Sequence, residues 1–324
     1  MNIPIINLIT PERFDLLAKY LYIKYLDKPI DYYTELYKRH LVVFNKSWEH
    51  PGIKKNSQDF IEHFNKLIQS IKNNGYNKKY PIELGIQNGV IVSGAHRLMT
   101  CYYYNIKPYI HLSDKKGVST YHYDFFLNRN NYWRRDDEEY ENLEREYTDR
   151  MALEYVKMKP TVLSMVLYPV TNKLMNKDNQ ENIEKLIKDY GKIFYHKKIK
   201  LSKNGVCNLI KEMYRGEKWI GGLFPNDSCG GKFKLCYSKN SEIEIYLIDF
   251  KNNKFNKNRE LKESCRKIFK LGKHSLHISD NQIETFRISS SLLNKNSIHF
   301  LNNGTNNISD KFKFLLTKFV EKYN

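Results

Sequence analysis

The stretch 81–112, PIELGIQNGVIVSGAHRLMTCYYYNIKPYIHL, limits the possible folds of this chain more than any other segment. Its apolar β-branched residues 90–92 predict a short strand that ends in Ser93 and Gly94, and a helix-compatible segment, 98–104, follows at once. A strand that turns at once into a helix brings backbone N–H groups and the positive end of a helix dipole to one point, where phosphate binds readily. His96 and Arg97 lie at that point.

Length and composition indicate a folded protein with more than one domain. The chain has 324 residues, and the usual domain size of about 150 residues favours two domains. Hydrophobic residues make up 41% of the chain and aromatic residues 14%, which is enough for packed cores. We therefore expect an ordered α/β protein.

The charge balance is strongly basic, with 54 Lys and Arg against 36 Asp and Glu and a formal net charge of +18. Such a balance favours a polyanionic partner, such as nucleic acid or a phosphate-rich substrate. The chain is also rich in Asn, Ile, Tyr and Lys, which an AT-rich coding sequence produces without selection for binding. Both interpretations stay open, because the lysines are scattered except between 251 and 273.

Cysteine usage and hydropathy bear on the compartment. The five cysteines are Cys101, Cys207, Cys229, Cys236 and Cys265. Their odd number and the lack of a Cys-x-x-Cys pair argue against a disulfide scaffold or a structural zinc site and for a reducing compartment. No apolar run approaches 18 residues, and the first residues lack the charged start of a signal peptide. We expect a cytoplasmic protein without a membrane span.

Helix and strand patterns predict three parts. Residues 1–115 contain N-terminal helices and the stretch described above, 116–158 form a charged helical connector, and 159–324 form a second α/β domain. Aromatic residues beside basic ones in the connector could stack on single-stranded nucleic acid, although tyrosine is abundant throughout the chain. In the second domain we expect a hairpin of strands 232–237 and 242–250, a short strand at 297–301 and a terminal helix at 311–323.

A succession of motifs in the first part carries a family resemblance. It consists of Leu67-x-x-Ser70-Ile71 on a helix, a turn at Gly75, a strand from Pro81-Ile82, a turn at Asn88-Gly89, and Gly94-x-His96-Arg97. This order resembles the ParB/sulfiredoxin-like superfamily over about 57–112. The resemblance implies an α+β domain that binds ATP or another nucleotide with Mg²⁺ through its Gly-x-His-Arg element.

Members of that superfamily differ in activity, so the resemblance leaves the function open. Sulfiredoxins place a cysteine before the His-Arg pair, whereas this chain has Ala95 there. No helix-turn-helix pattern follows, which weakens a role in DNA segregation. These exclusions leave nucleotide binding with phosphoryl transfer as the remaining activity.

Candidate roles follow from that chemistry. Ser93 and Gly94 let backbone approach the phosphates, Arg97 pairs with them, and His96 donates a further hydrogen bond. Glu83 on the preceding strand is a candidate for the base that accepts a substrate proton, as are Glu49 and His50 in an upstream loop.

The second domain has two further candidate clusters. A glycine-rich loop after Trp219 leads to Lys232, which could reach phosphate although the loop lacks P-loop spacing. His277 and Asp280 come at the end of a predicted strand, before Glu284 on the next helix. We expect His277 and Asp280 to be catalytic, and Asp280 with Glu284 to bind a metal ion with the phosphates.

The resulting hypothesis is a nucleotide-dependent phosphotransferase that acts on a small hydroxyl substrate. The second domain is similar to uncharacterised segments of proteins from bacterial surface-polysaccharide loci, which suggests a substrate in capsule biosynthesis. The alternative is a non-enzymatic ParB-like protein that binds nucleic acid. A third possibility is that the half of the chain with His277 and Asp280 holds the active site.

Overall fold

The computed structural model describes residues 3–49, 53–114, 120–128, 138–222, 228–251 and 255–304. The chain divides into two compact units, Met1–Met158 and Lys159–Asn324. Helices and two sheets make the class α/β, as the sequence predicts. His50 and the terminal helix predicted at 311–323 lie outside the described residues.

Unit 1 combines helices with a small sheet. Its helices are α1 (Leu16–Tyr25), α2 (Tyr32–Asn45), α3 (Ser57–Asn74), α4 (Ala95–Tyr103), α5 (Tyr123–Asn128) and α6 (Glu138–Met158). Its strands are β1 (Ile82–Gly85), β2 (Ile91–Ser93) and β3 (Ile110–Ser113). Helix α6 lies in the segment predicted as a separate connector, but the structure groups it with unit 1, and Met151 and Tyr155 on it are buried.

The sheet of unit 1 has the order β2-β1-β3, with β1 antiparallel to β2 and parallel to β3. Helix α4 connects β2 to β3 because a parallel pair needs a crossover. The apolar side chains of Ile82, Leu84 and Ile91 are buried on one face of this sheet. The strand, turn, strand, helix and strand predicted for the stretch 81–112 are all present.

A buried ionic cluster contacts strand β2 of this sheet. The Arg13 guanidinium donates two hydrogen bonds to the Asp15 carboxylate and a third to the carbonyl oxygen of Ile91 on β2. Lys19 donates to the same carboxylate at 2.8 Å. Burial alone would raise the pKa of Asp15, but Lys19 and Arg13 hold it well below its usual range. The cluster thus ties the start of α1 to the sheet.

We predict that Asp15→Asn destabilises the protein by about 3–5 kcal/mol, because it leaves two cations buried without a counter-charge. Denaturant unfolding followed by circular dichroism measures the change. The matched control is Glu35→Gln, which breaks the exposed Glu35–Lys38 pair and should cost less than about 1 kcal/mol. Equal effects of the two substitutions would contradict a stabilising role for the buried cluster.

Unit 2 has a larger sheet with helices on both faces. Its strands are β4 (Val162–Leu167), β5 (Gly191–Lys200), β6 (Glu242–Phe250) and β7 (Leu276–Ile278). Its helices are α7 (Lys177–Tyr190), α8 (Lys203–Met213), α9 (Gly230–Cys236), α10 (Phe255–Phe269), α11 (Gln282–Leu292) and α12 (Lys295–Asn303). Short 3₁₀ turns lie at Pro169–Lys173, Lys218–Ile220 and Gly272–His274.

The strand order is β5-β6-β4-β7, and every neighbouring pair is antiparallel. With α7 after β4 and α10 after β6, this is the β-α-β-β-α-β connection of ferredoxin-like domains, with α8 and α9 inserted between β5 and β6. Helices α7 and α10 pack on one face, where Ile187 and Leu261 are buried against sheet residues such as Met165. Helices α8, α11 and α12 contact one another, and α11 contacts β4.

Two secondary-structure predictions for unit 2 are wrong. Residues 232–237 were expected to be a strand of a hairpin, but Gly230–Cys236 is helix α9. Residues 297–301 were expected to be a strand, but they belong to α12, which Asn294 caps. Both segments are only five or six residues long, and at that length periodicity does not separate strand from helix. Among the residues that the structure describes, no helix is long and apolar enough to cross a membrane.

Candidate functional site

Unit 2 contains a cavity of about 1060 Å³ beside the edge strand β7. It lies between α10, α11, the start of α9 and the segment that follows α8. Of the side chains that the structure describes, seven basic and four acidic ones line it, so they give it an excess of positive charge. The basic residues are Arg215, Lys232, Arg259, Lys262, Arg266, Lys273 and Arg287.

Helical periodicity directs one group of these cations into the cavity. Arg259, Lys262 and Arg266 are spaced three and four residues apart on α10, so they lie on one face of the helix. A different face of α10 packs into the core through Leu261 and Cys265. The amphipathic pattern that buries the helix therefore turns its basic face toward the cavity.

Lys232 is the most unusual of the cations. Its ammonium donates to the carbonyl oxygen of Lys273 and lies over the rings of Tyr168 and Tyr214, 5.0 and 5.4 Å from their centroids. Burial lowers the pKa of Lys232, and the nearby charges of Arg266 and Lys273 lower it further, although Cys236 acts in the opposite direction. No acidic side chain of the described residues forms an ion pair with it. An anionic ligand would supply the missing negative charge.

His277 and Glu284 form a hydrogen-bonded pair in the same cavity. The Nε2 atom of His277 lies 2.8 Å from Oε1 of Glu284, and both side chains are largely buried. Burial lowers the pKa of His277, while the Glu284 carboxylate acts to raise it. The lowered pKa favours the neutral imidazole, and in the tautomer whose Nε2–H donates to Glu284 the lone pair is on Nδ1. Such a histidine can accept a proton.

The carboxylates predicted to bind metal have partners in the structure. Glu284 Oε2 accepts a hydrogen bond from the backbone N–H of Asp280, and Lys262 donates to Asp280 at 3.0 Å. Asn281 rather than Asp280 caps α11, because its side chain accepts from the N–H of Glu284. Burial alone would raise the pKa of Glu284, but its bond to His277 holds it below the ordinary value.

With these partners, the two carboxylates could hold a metal ion only if a phosphate-containing ligand supplied most of the coordinating oxygens. Within the described ranges, no group of three or more His, Cys, Asp and Glu side chains could hold a metal ion. Mg²⁺ commonly takes one or two carboxylates and otherwise phosphate oxygens and water. The half-exposed carboxylate of Asp280 fits that pattern better than Glu284, both of whose oxygens already accept hydrogen bonds.

In unit 1, the predicted phosphate site is the junction between β2 and α4 at Gly94, and its Arg97 is bound to the backbone. Gly94 has a φ of 92°, and a Cβ there would lie 3.2 Å from the Cα of Ile82, so the tight turn requires glycine. Arg97 reaches back under the turn and donates to the carbonyl oxygen of Pro81 at 3.2 Å. Its guanidinium therefore braces the turn against the start of β1.

His96 points into unit 1. Its Nε2 lies 2.8 Å from the hydroxyl of Tyr37 on α2, and its ring meets Phe64 on α3 edge to face at 4.5 Å. Burial and the nearby charge of Lys19 hold the pKa of His96 well below its usual range. In this arrangement His96 contributes to packing among α2, α3 and α4, and its role toward a nucleotide stays a prediction.

Two other predicted residues are neighbours on the sheet of unit 1. Glu83 pairs with Ser93 across β1 and β2, and with His111 across β1 and β3. Directly paired residues project to the same face, so the three form a polar row opposite the apolar face. Glu49 lies elsewhere in this unit, in an ion pair with Lys54. Of the predicted site residues, unit 2 thus brings together Lys232, His277, Asp280 and Glu284, which all line the cavity.

A disulfide joins Cys207 on α8 to Cys229, directly before α9. The odd number of cysteines argued against a disulfide scaffold, but this pair nevertheless forms a disulfide. The two residues are 22 positions apart, and only the fold brings their Cα atoms to 5.4 Å. The bond fixes the segment that leads to Lys232 against α8. Cys101, Cys236 and Cys265 are free and buried.

Sequence reasoning missed several residues that line the cavity. Arg259 and Lys262 on α10 had a signal, since they recur with Arg266 at helical spacing within the lysine-dense segment 251–273. Tyr214 and Arg287 had none, because only the packing of α8 against α11 brings them to the cavity.

Comparisons of the chain with protein-family models, with curated proteins and with solved structures found no match. The resemblance of 57–112 to the ParB/sulfiredoxin-like superfamily therefore stays a prediction. Function has to be inferred from the chemistry of the cavity, because the connection of strands in unit 2 is shared by proteins of many activities.

Thiol counting tests the disulfide. Alkylation of the protein denatured without reductant should label Cys101, Cys236 and Cys265 alone, and all five cysteines after reduction, as read by intact mass. The control Cys207→Ser should add Cys229 to the residues that are labelled without reductant. Labelling of all five cysteines in unreduced wild-type protein would contradict the bond.

Proposed function

We propose that the protein is a nucleotide-dependent phosphotransferase whose active site is the basic cavity of unit 2. The observation that carries this proposal is the half-buried ammonium of Lys232, which has Arg266 and Lys273 nearby and shares its cavity with the His277–Glu284 pair. Phosphoryl transfer depends chiefly on positioning and on neutralising phosphate charge, and this cavity offers cations for both.

In the proposed reaction, His277 accepts the proton of the acceptor hydroxyl through Nδ1 while the hydroxyl oxygen attacks the terminal phosphorus. The bond between that phosphorus and the bridging oxygen breaks, and the nucleoside diphosphate leaves. Glu284 orients the imidazole and stabilises the imidazolium that forms. Lys232 and Arg266 neutralise the phosphates, and Asp280 is the candidate ligand for Mg²⁺ that enters with the nucleotide.

Titration calorimetry with ATP and Mg²⁺ at about 150 mM salt tests the site. Lys232→Ala should weaken ATP binding at least about tenfold, because a charge-assisted contact is worth roughly 1.5–3 kcal/mol. The matched control is Lys234→Ala, an exposed lysine of the same helix that does not line the cavity and should bind as wild type does.

Arg97→Ala separates the two candidate nucleotide sites. We expect this variant to bind ATP as wild type does, since the Arg97 side chain braces the turn at Gly94. If Arg97→Ala loses ATP binding while Lys232→Ala binds normally, the assignment of the ATP site to the cavity is wrong, and the site predicted at Gly94 is supported. No nucleotide binding, with retention on duplex DNA that falls steeply as salt rises, would support the nucleic-acid alternative.

The pH dependence of turnover tests the role of His277. The pKa of its imidazole lies below the ordinary value near 6.5, so the midpoint of the acidic limb of nucleoside diphosphate release should lie below pH 6.5. Glu284→Gln removes the carboxylate that raises this pKa, so the acidic limb should move to lower pH. If the acidic limb of Glu284→Gln stays in place or moves to higher pH, the proposed effect of Glu284 on the pKa of His277 is wrong.

A further inference from the structure

The mouth of the cavity is apolar although its interior is basic. Trp219, Leu235 and Ile283 line it with exposed fractions of 55%, 54% and 79%. Single exposed apolar residues are ordinary on a protein surface, but three around one cavity indicate a ligand with an apolar part. The cations indicate that the other part of that ligand is anionic.

The chain holds Trp219 in its outward position. The backbone N–H of Gly216 donates to the carbonyl oxygen of Gly222 at 3.1 Å, and the backbone N–H of Gly222 donates to the carbonyl oxygen of Glu217 at 3.0 Å. These two hydrogen bonds close the loop that contains Trp219. Ile220, the next residue, is buried and anchors the loop. The Trp219 ring contacts Tyr214 at a centroid distance of 4.8 Å, so its exposed surface is a fixed, flat platform.

An aromatic series connects this platform to the proposed reaction centre. The Tyr214 ring lies between Trp219 and His277, 5.0 Å from the His277 ring, and the Lys232 ammonium lies over the same tyrosine. The platform and the phosphate-binding cation are thus separated by about one aromatic side chain, a gap that a pentose can bridge. A flat heterocycle joined to phosphate through a sugar matches this order of surfaces.

We infer that Trp219 stacks on the base of a nucleotide and gives the cavity its preference for nucleotides over other polyphosphates. This inference rests on the proposed function and names the ligand class of the same site. It assigns a role to Trp219, which the sequence marked only as the start of a glycine-rich loop.

Calorimetry with ATP and with inorganic tripolyphosphate tests the assignment, because both carry a chain of three phosphates and only ATP carries a base. Wild type should bind ATP about ten to a hundred times more tightly than tripolyphosphate, the range that stacking of one base provides. Trp219→Ala should remove this preference and leave tripolyphosphate affinity unchanged. Trp219→Phe should keep part of it, and Lys232→Ala should weaken both ligands.

The matched control is Phe300→Ala, since Phe300 is a similarly exposed aromatic residue of unit 2 outside the cavity. It should behave as wild type does. Equal losses of both ligands in Trp219→Ala, or an unchanged preference, would overturn the role of Trp219 while leaving the phosphate site intact. If neither ligand binds wild type, the proposed function fails first, which is a separate outcome.

A lipid surface is the other source of a ligand with an apolar and an anionic part, and vesicle sedimentation tests it. Wild type and Trp219→Ala should both stay in the supernatant with vesicles of phosphatidylglycerol and phosphatidylcholine at about 150 mM salt. Sedimentation of wild type that Trp219→Ala abolishes would overturn base stacking and assign the apolar rim to a lipid surface.

Discussion

The pairing of β7 with β4 determines the positions of the groups on which the cavity depends. β7 has only three residues, and Leu276 and Ile278 both pack into the core shared with α7 and α10. Alternation along a strand then forces His277 to the opposite face, toward Tyr214 and Glu284. One short edge strand thus sets the orientation of the proposed base.

The same strand also places its flanking segments. The backbone N–H of Tyr168, directly after β4, donates to the carbonyl oxygen of Ser275, directly before β7. This contact brings the Tyr168 ring under Lys232, whose ammonium in turn reaches Lys273 in the turn before β7. On the other side, β7 runs into Asp280 and the start of α11. The cavity is therefore assembled from elements that precede and follow one strand.

The two units use buried charge in different ways. In unit 1, both cations of the buried cluster, Arg13 and Lys19, donate to one carboxylate of this chain, that of Asp15. In the cavity of unit 2, pairs such as Lys262–Asp280 and Arg266–Glu263 leave an excess of positive charge around Lys232. Buried cations that donate to a carboxylate of the same chain tie elements of the fold together, whereas an excess of one sign in a concave site favours a ligand of the opposite sign.

Much of this arrangement was predictable from local sequence. The stretch 81–112 folds as its pattern indicates, and Lys232, His277, Asp280 and Glu284 were identified as candidates from their neighbours along the chain. His277, Asp280 and Glu284 were expected as one cluster, but the approach of Lys232 to them was not predictable, because it depends on contacts with segments far away in sequence. The same long-range packing turns His96 inward and brings Cys207 to Cys229.

Hydrogen exchange read by mass spectrometry, with and without ATP and Mg²⁺, tests most directly that the ligand binds in unit 2. Binding in the cavity predicts slower exchange in peptides covering 213–220, 230–236 and 273–287, and unchanged exchange in the peptide covering 91–98. Protection confined to 91–98, with no change around Lys232 and His277, would contradict the account and assign the nucleotide to the Gly94 junction.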